Sequence, residues 1–326
     1  MKLGWTGQAN MARAFILPSA LAVLAFMYLH SLTAKAQDSD ASGQSYYEKT
    51  KPILDNPLPD ILSATPELQG LEPAGNQDEL PSILEKTGME IEELVGSMPN
   101  LISREHVTQT KPGDRGGVRD QRQCEFDYMI VVHWNGRDGT VEEYRSEGKE
   151  TGPELESPHE SYMLTSGFAS EWLHFLPSNQ AKERFRYLGQ QNDGGLRCYV
   201  VAFAQVPGLA TITGTIKYRG KAIILLSQGI VWIDEASLRI VRMRTDLLAP
   251  HPEIGLQSQT TELQFGKTNL PQAATPLWLP QEVVVTTQMN NRVYRNVHRY
   301  SDYRVFKVES RILPAPPDPP TPQRSN

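Results

Sequence analysis

The chain has 326 residues, with 38 acidic and 32 basic side chains and a net charge of −6. This acidic balance argues against nucleic acid as a partner, because such binding relies on lysine and arginine to neutralise phosphates. Two cysteines are too few for a disulfide scaffold, and the length is sufficient to bury an apolar core.

Residues 1–36 have the three parts of a secretory signal peptide: a positively charged start, an apolar stretch over residues 14–29 and a small-x-small site that ends at Ala36. We predict cleavage after Ala36 and a periplasmic or secreted protein. The alternative is an uncleaved anchor, but the apolar stretch is shorter than the roughly 20 residues that span a bilayer. Cleavage leaves no stable membrane span. It removes three basic side chains and no acidic ones, which changes the net charge from −6 to −9.

Segments rich in proline and small polar residues flank the rest of the chain. Residues 37–80 show little apolar periodicity, which predicts a flexible leader. Residues 312–326 are rich in proline, which fixes φ and lacks a backbone donor, and we interpret them as a disordered tail. The alternative for this tail is a docking peptide. A single domain is predicted between the two segments, over residues 81–311.

The domain begins with a predicted helix. Ser82 and Glu85 have the spacing of a capping box, and apolar residues recur at helical spacing as far as Leu101 and Ile102, with Pro99 expected to kink or end the helix. Residues 111–122 are interpreted as a charged, glycine-bearing loop. A second helix is indicated further on by apolar residues on one face, before Pro177: Leu164, Phe168, Trp172 and Phe175 or Leu176.

Most of the remaining chain has the two-residue alternation of β-strands, beginning at Glu125. Turn signals such as Asn135-Gly136 separate consecutive strands, and short turns favour antiparallel neighbours. Twist prevents a sheet of so many strands from staying flat. We therefore predict an α+β fold with one large curled antiparallel β-sheet, a half-barrel, and two or three helices on its concave face.

Three segments carry a resemblance to a known family: residues 229–234 (GIVWID), 238–242 (LRIVR) and 277–283 (LWLPQEV). They resemble the outer-membrane lipoprotein carriers LolA and LolB and the related periplasmic protein RseB, over residues 80–310 in order of elements. The resemblance implies a half-barrel that holds acyl chains between sheet and helices. Residues 294–303 also resemble a segment of uncharacterised exported proteins from soil bacteria.

No catalytic motif is present. The histidines form no H-E-x-x-H motif, the serines form no G-x-S-x-G elbow, and residues 214–221 (GTIKYRGK) resemble a phosphate loop only superficially. No catalytic residue, metal site or cofactor is therefore predicted, and a cryptic hydrolase is the least favoured interpretation.

Aromatic side chains are predicted to face the space between sheet and helices. They would form the apolar lining of a ligand pocket, although aromatic residues at such spacing also build ordinary cores. The predicted lining is Phe126, Tyr128, Trp134, Phe168, Trp172, Trp232 and Trp278.

The last strand carries polar groups on both faces. We predict that Arg295, His298, Arg299 and Arg304 form a polar rim for an anionic head group or a partner, since arginine binds phosphate and carboxylate with two hydrogen bonds. The alternative is an edge strand that its charges protect from aggregation.

Cys124 and Cys198 are a possible disulfide in an exported chain, and two buried free thiols are the alternative.

The leading hypothesis for function is an exported, non-enzymatic binding protein that holds a lipid or an acylated protein in an apolar cavity. A cell-envelope sensor or scaffold that binds a protein partner is the second.

Overall fold

The computed structural model describes residues 47, 50–112, 118–136, 138–146, 149–151, 168–218, 221–271 and 276–306. The predicted signal peptide, its cleavage site and the C-terminal tail lie outside these residues. In the described part of the chain, no helix has the length and apolar character needed to cross a membrane.

The helices are short apart from one. The α-helices are α1 (Leu58–Ala64), α2 (Leu80–Ser97) and α3 (Pro177–Gln180), and the 3₁₀ helices are Ile53–Asp55, Pro66–Leu68, Phe168–Phe175 and Pro252–Ile254.

The strands are β1 (Glu72–Pro73), β2 (Leu101–Pro112), β3 (Val118–Trp134), β4 (Gly139–Arg145), β5 (Lys149–Thr151), β6 (Glu183–Asp193), β7 (Leu196–Gln205), β8 (Gly214–Tyr218), β9 (Lys221–Leu225), β10 (Ser227–Asp234), β11 (Ile240–Leu247), β12 (Leu256–Thr268), β13 (Leu277–Met289) and β14 (Arg292–Val305).

Twelve of these strands form one sheet in the order β1-β6-β7-β10-β11-β12-β13-β14-β2-β3-β4, with β5 beside β3. Every pairing in this order is antiparallel, and β8 and β9 form a separate hairpin. The order does not close on itself, so the sheet is curled and open. This confirms the predicted α+β fold with one large curled antiparallel sheet.

Helix α2 lies on one face of the sheet, which we call the inner face. Pro81 is in its first turn, where the missing N–H is not needed. Ile83, Ile91 and Val95 are buried against the sheet at helical spacing. The predicted capping box does not form, because the residue before the helix is Glu79 and it makes no side-chain cap bond.

The second predicted helix is also found, as the 3₁₀ helix Phe168–Phe175 followed by α3. Phe168, Trp172 and Phe175 are almost fully buried and pack with α2 and the sheet in one apolar cluster. Gly88 of α2 allows the close approach of α3, since a Cβ there would lie 2.7 Å from Gln180 Nε2. Burying each large apolar side chain contributes about 1.5–3 kcal/mol.

Residues 53–71 differ from the predicted flexible leader, because they pack against the opposite, outer face of the sheet. Leu54, Ile61 and Leu68 are buried with Val200 of β7 and Trp232 of β10. The prediction failed because these apolar residues sit on one short helix and two 3₁₀ turns among prolines, so that no long periodic pattern forms.

Polar contacts fix this outer segment to β6. Arg184 makes a two-pronged salt bridge to Asp55, at 2.8 and 2.6 Å. Arg186 donates to the carbonyl oxygens of Leu54 and Asn56 at 2.9 and 2.6 Å. The bonds from Arg186 satisfy backbone carbonyl oxygens in and after the first 3₁₀ helix, so they stabilise a segment that has no long helix or strand of its own.

Strand β2 contradicts two predictions. Leu101 and Ile102 begin a strand and do not continue the helix, and the predicted loop at residues 111–122 includes the end of β2 and the start of β3. β2 pairs with β3 on one side and β14 on the other. The pattern was missed because the buried face of β2 carries polar residues, including Ser103 and Glu105.

Candidate functional site

An apolar cleft opens between the C-terminal half of α2 and the adjacent ends of β11, β12 and β13. Its volume is about 50 Å³. Its apolar walls are formed by Ile91 and Leu94 of α2, Trp172 of the 3₁₀ helix, Ile240, Phe265, Pro276, Leu277 and Trp278. The cleft is therefore built where a helix and three strands end side by side.

Local irregularities of the strands shape this wall. The β12–β13 register shifts between Gln264 and Phe265, and such a shift re-aims the side chains that follow it. Trp278, at the start of β13, is half-buried, and its indole N–H is buried without a hydrogen-bond partner among the described residues. An unpaired N–H of this kind can donate to an acceptor brought by a ligand.

Charged residues surround the mouth of the cleft. Glu90 and Glu93 of α2 and Arg239, just before β11, contribute to its lining. The Nε of Arg239 lies 3.4 Å from Glu90 Oε2, and both side chains are partly exposed. An open groove of about 470 Å³ adjoins the cleft and is lined by Met89, Glu90, Glu92, Glu93, Trp134 and Gly136.

The cleft is small beside the pockets that hold drug-sized ligands. Pockets for drug-sized ligands measure about 300–1,000 Å³, whereas one water needs about 10–15 Å³ of such space. The cleft therefore has room for a few waters or the end of an apolar chain. Behind it, the described apolar side chains of the inner face form one buried cluster.

Five of the predicted lining residues lie in or against the inner core. Tyr128, Phe168 and Trp172 are almost fully buried there, and Trp134 and Trp278 are half-buried against it. Of these, Trp172 and Trp278 line the cleft, and Trp134 lines the neighbouring groove.

Trp232 does not face α2 or the 3₁₀ helix Phe168–Phe175, and this corrects the prediction. It is fully buried on the outer face, where its indole N–H donates to Gln191 Oε1 at 2.8 Å and Arg242 stacks on its ring. Both faces of β10 are buried, so alternation could not tell which face met the helices. Phe126 is half-buried on β3 opposite Glu105 and is not among the residues that line the cleft.

The predicted polar rim does not form as one site. Arg295, Arg299 and Arg304 are exposed, while His298 is completely buried on the inner face. The edge-strand alternative is also wrong, because β14 lies between β13 and β2 in the sheet. Arg299 instead pairs with Glu282 of the neighbouring strand at 2.8 Å.

A buried charged cluster surrounds His298. Glu105 of β2 accepts two hydrogen bonds from Arg145 of β4, of which Nη2 to Oε1 measures 2.7 Å. The Nδ1 of His298 lies 2.8 Å from Glu105 Oε1, and the Tyr300 hydroxyl donates to the same oxygen at 2.9 Å. The Arg145 guanidinium also stacks over the ring of Tyr128, 5.3 Å from its centroid.

These contacts set the charge states. Burial would raise the pKa of Glu105, but the hydrogen bonds from Arg145 and His298 outweigh it and lower that pKa to about 2. Burial lowers the pKa of His298 despite its bond to Glu105, so the ring is neutral near pH 7. Because an ionised carboxylate only accepts, the proton of His298 is on Nδ1.

A carboxylate that orients a neutral histidine is half of a catalytic triad. The other half is missing in the part of the chain that the structure describes, since His298 Nε2 is buried and has no hydrogen-bond partner. The ring of Phe168 packs against the imidazole of His298, with 4.9 Å between the two ring centroids. The arrangement therefore ties three strands together, and Glu105 and Arg145 were not expected from the sequence.

A second buried polar cluster lies on the 3₁₀ helix that carries Trp172. His174 Nδ1 is 2.7 Å from Glu183 Oε1, and its Nε2 is 3.8 Å from Glu171 Oε2. Burial raises the pKa of Glu171 to about 7, and the nearby carboxylates of Glu143 and Glu183 add to this effect while His174 opposes it.

The two cysteines are free and buried. Cys198 of β7 packs in the outer cluster, whereas Cys124 of β3 has its thiol 3.6 Å from Gln109 Oε1. Six strands separate β7 from β3 in the sheet, so the free-thiol alternative describes this structure and the disulfide does not. The described residues also contain no group of three or more His, Cys, Asp or Glu placed to hold a metal ion.

No protein-family model matches the sequence, and no curated protein matches it. Among solved structures, a DUF1329 family protein from Desulfovibrio piger is similar over 72% of this chain and 95% of its own, with 13% identity and a TM-score of 0.35.

An outer membrane lipoprotein-sorting protein domain from Vibrio parahaemolyticus is similar over 68% of this chain and 91% of its own, with 12% identity and a TM-score of 0.32. A chain of the MucA/MucB complex of Pseudomonas aeruginosa is similar over 68% of this chain and 99% of its own, with 9% identity and a TM-score of 0.17. At these identities and scores the likeness assigns neither a family nor a function. The resemblance of residues 294–303 to proteins of soil bacteria stays a prediction.

Proposed function

We propose that this chain is an exported, non-enzymatic binding protein that takes the apolar part of a lipid or an acylated protein into the cleft beside α2. The observation that carries the proposal is an apolar wall, with Trp172 and Trp278, that reaches the surface where helix and sheet meet. Each CH₂ that enters such a wall gains about 0.8 kcal/mol.

The small volume of the cleft constrains how it would work. About 50 Å³ admits the end of a chain, and a longer acyl segment enters only if α2 or the 3₁₀ helix moves away from the sheet. The unpaired indole N–H of Trp278 would donate to an oxygen of the ligand. Export is proposed from the signal peptide, with cleavage after Ala36 and a periplasmic or secreted location.

The test combines co-purification with a binding assay on the mature protein. Native mass spectrometry and organic extraction should show bound lipid, and the neutral probe N-phenyl-1-naphthylamine should gain fluorescence on binding. Leu94→Glu places a charge in the cleft wall and should weaken probe binding at least about tenfold, because burying a charge is costly. Val293→Glu is the matched control, since Val293 is exposed and does not line the cleft. Absence of both lipid and probe uptake would contradict the proposal.

A protein partner is the second candidate, favoured by the open groove along α2. Met89 is 61% exposed there and lines the groove together with the half-buried Trp134, so an apolar side chain of a partner could pack between them. A partner that Met89→Glu no longer captures would support it, and a partner lost only on deletion of residues 313–326 would indicate the tail instead. A hydrolase has little support, because His298 Nε2 is buried.

A further inference from the structure

The walls of the cleft and of the adjoining groove are apolar, but their charged residues are mainly acidic. Glu90, Glu92 and Glu93 of α2 line one or both, and Arg239 is the basic residue among the lining side chains. Among the described lining residues, acidic side chains therefore outnumber basic ones at the point where a ligand's head group would stay outside the apolar wall.

Arg239 is already engaged. Its Nε lies 3.4 Å from Glu90 Oε2 across the mouth, so these two charges offset each other. Glu92 and Glu93 have no ion pair among the described residues, and Glu93 is exposed at the mouth itself. Within the described part of the chain, two carboxylates without an ion pair are thus left beside an apolar cleft.

We infer that the cleft selects amphiphiles with a positively charged head group, that is, an alkyl or acyl chain attached to an amine. The inference rests on the proposed function and adds the charge of the ligand to it. A carboxylate head such as that of a fatty acid would be repelled by Glu92 and Glu93, whereas an ammonium would be attracted. At low salt the difference between the two heads should be about tenfold in Kd.

Charge and chain can be separated with ligands that share one decyl chain. Decyltrimethylammonium, decanoate and decanol compete with N-phenyl-1-naphthylamine on the mature protein, each below its micelle concentration. We expect the cation to bind about tenfold more tightly than decanoate, with decanol between them. The preference should shrink in about 0.5 M salt, because exposed charges are then screened. Tetralysine, which lacks an alkyl chain, should not displace the probe.

The variants assign the preference to the cleft. Glu92→Gln with Glu93→Gln should bring the cation and decanoate to within about threefold of each other. Glu85→Gln is the matched control, since Glu85 is an exposed residue of the same helix that lines neither the cleft nor the groove.

Decanoate binding as tightly as the cation would overturn the inference, and so would a preference that survives the double substitution or displacement by tetralysine. If all three decyl ligands bind equally, only the charge preference fails. If none of them binds and the probe is not taken up, the proposed function fails with it.

Discussion

Glu105, Arg145, His298 and Tyr300 place a charged network inside the inner core. The side chains of Glu105 and His298 are completely buried, and that of Arg145 is 13% exposed. Replacing a buried pair by apolar residues is often neutral, whereas removing one partner typically costs about 3–5 kcal/mol because it strands the other charge. We therefore expect the network to specify which strands meet and to add little net stability.

Glu171 makes stability depend on pH in a defined window. Its pKa is about 7 in the folded protein against an ordinary value of 4.5, so the folded state binds the proton more tightly. This stability is fully present below pH 4.5 and is lost as pH rises through 7. We expect the free energy of unfolding to fall by on the order of 2 kcal/mol between pH 5 and 8.

Urea unfolding followed by tryptophan fluorescence at several pH values measures this loss. Glu171→Gln should flatten the curve relative to the unmodified protein, while Glu85→Gln should leave it unchanged because that side chain is exposed. Parallel curves for Glu171→Gln and the unmodified protein would show that this carboxyl is not the titrating group. Comparing the variants with the unmodified protein cancels the contributions of all other titratable groups.

At the scale of elements, the segment over residues 53–71 behaves as a second layer of the fold. Ile61 of α1 is 1% exposed beneath the outer face of the sheet. Ile61→Ala should cost about 2–5 kcal/mol in the free energy of unfolding, whereas Ser63→Ala on the exposed side should change it by less than about 0.5 kcal/mol. Equal effects measured by urea unfolding would mean that this segment does not pack on the sheet.

The same elements show what the sequence could and could not predict. Hairpin signals and alternation were enough to find most of the antiparallel strands from β3 onwards, although not β5 or β8, and the helix that carries Trp172. β2 was not predicted because its buried face carries the polar residues Ser103 and Glu105, so it lacks the apolar alternation that identifies a strand. Trp232 was assigned to the wrong face because both faces of β10 are buried, the outer one beneath residues 53–71. Alternation shows which face of a strand meets the core only when the other face is exposed to solvent.

For the whole molecule, the thiols provide a test of the assembled sheet. Burial raises the pKa of Cys198 to about 12, the carboxylates of Asp193 and Asp234 add to the shift, and burial also raises the pKa of Cys124. The folded mature protein should not react with Ellman's reagent, and unfolding without reductant should release two thiols. No thiol on unfolding would mean that the two cysteines are bonded to each other.

Which residues form the cleft depends on the whole assembly, so the sequence could supply only part of it. Trp172 and Trp278 were expected to line a pocket, but Arg239 and Glu93 become neighbours of that wall only through the placement of α2 over β11. Periodicity within one segment of the sequence does not predict contacts between distant segments.

The pairing of β2 with β14 also determines when the protein can fold. Leu101 of β2 pairs with Val305 of β14. The backbone groups on that edge of β2 therefore form hydrogen bonds only after β14, the last described strand, has been synthesised. Contacts between such distant positions slow folding, because the intervening chain has to be ordered before they form. A chain that passes through a membrane from its N-terminus would therefore emerge almost completely before the pairing of β2 with β14 could form.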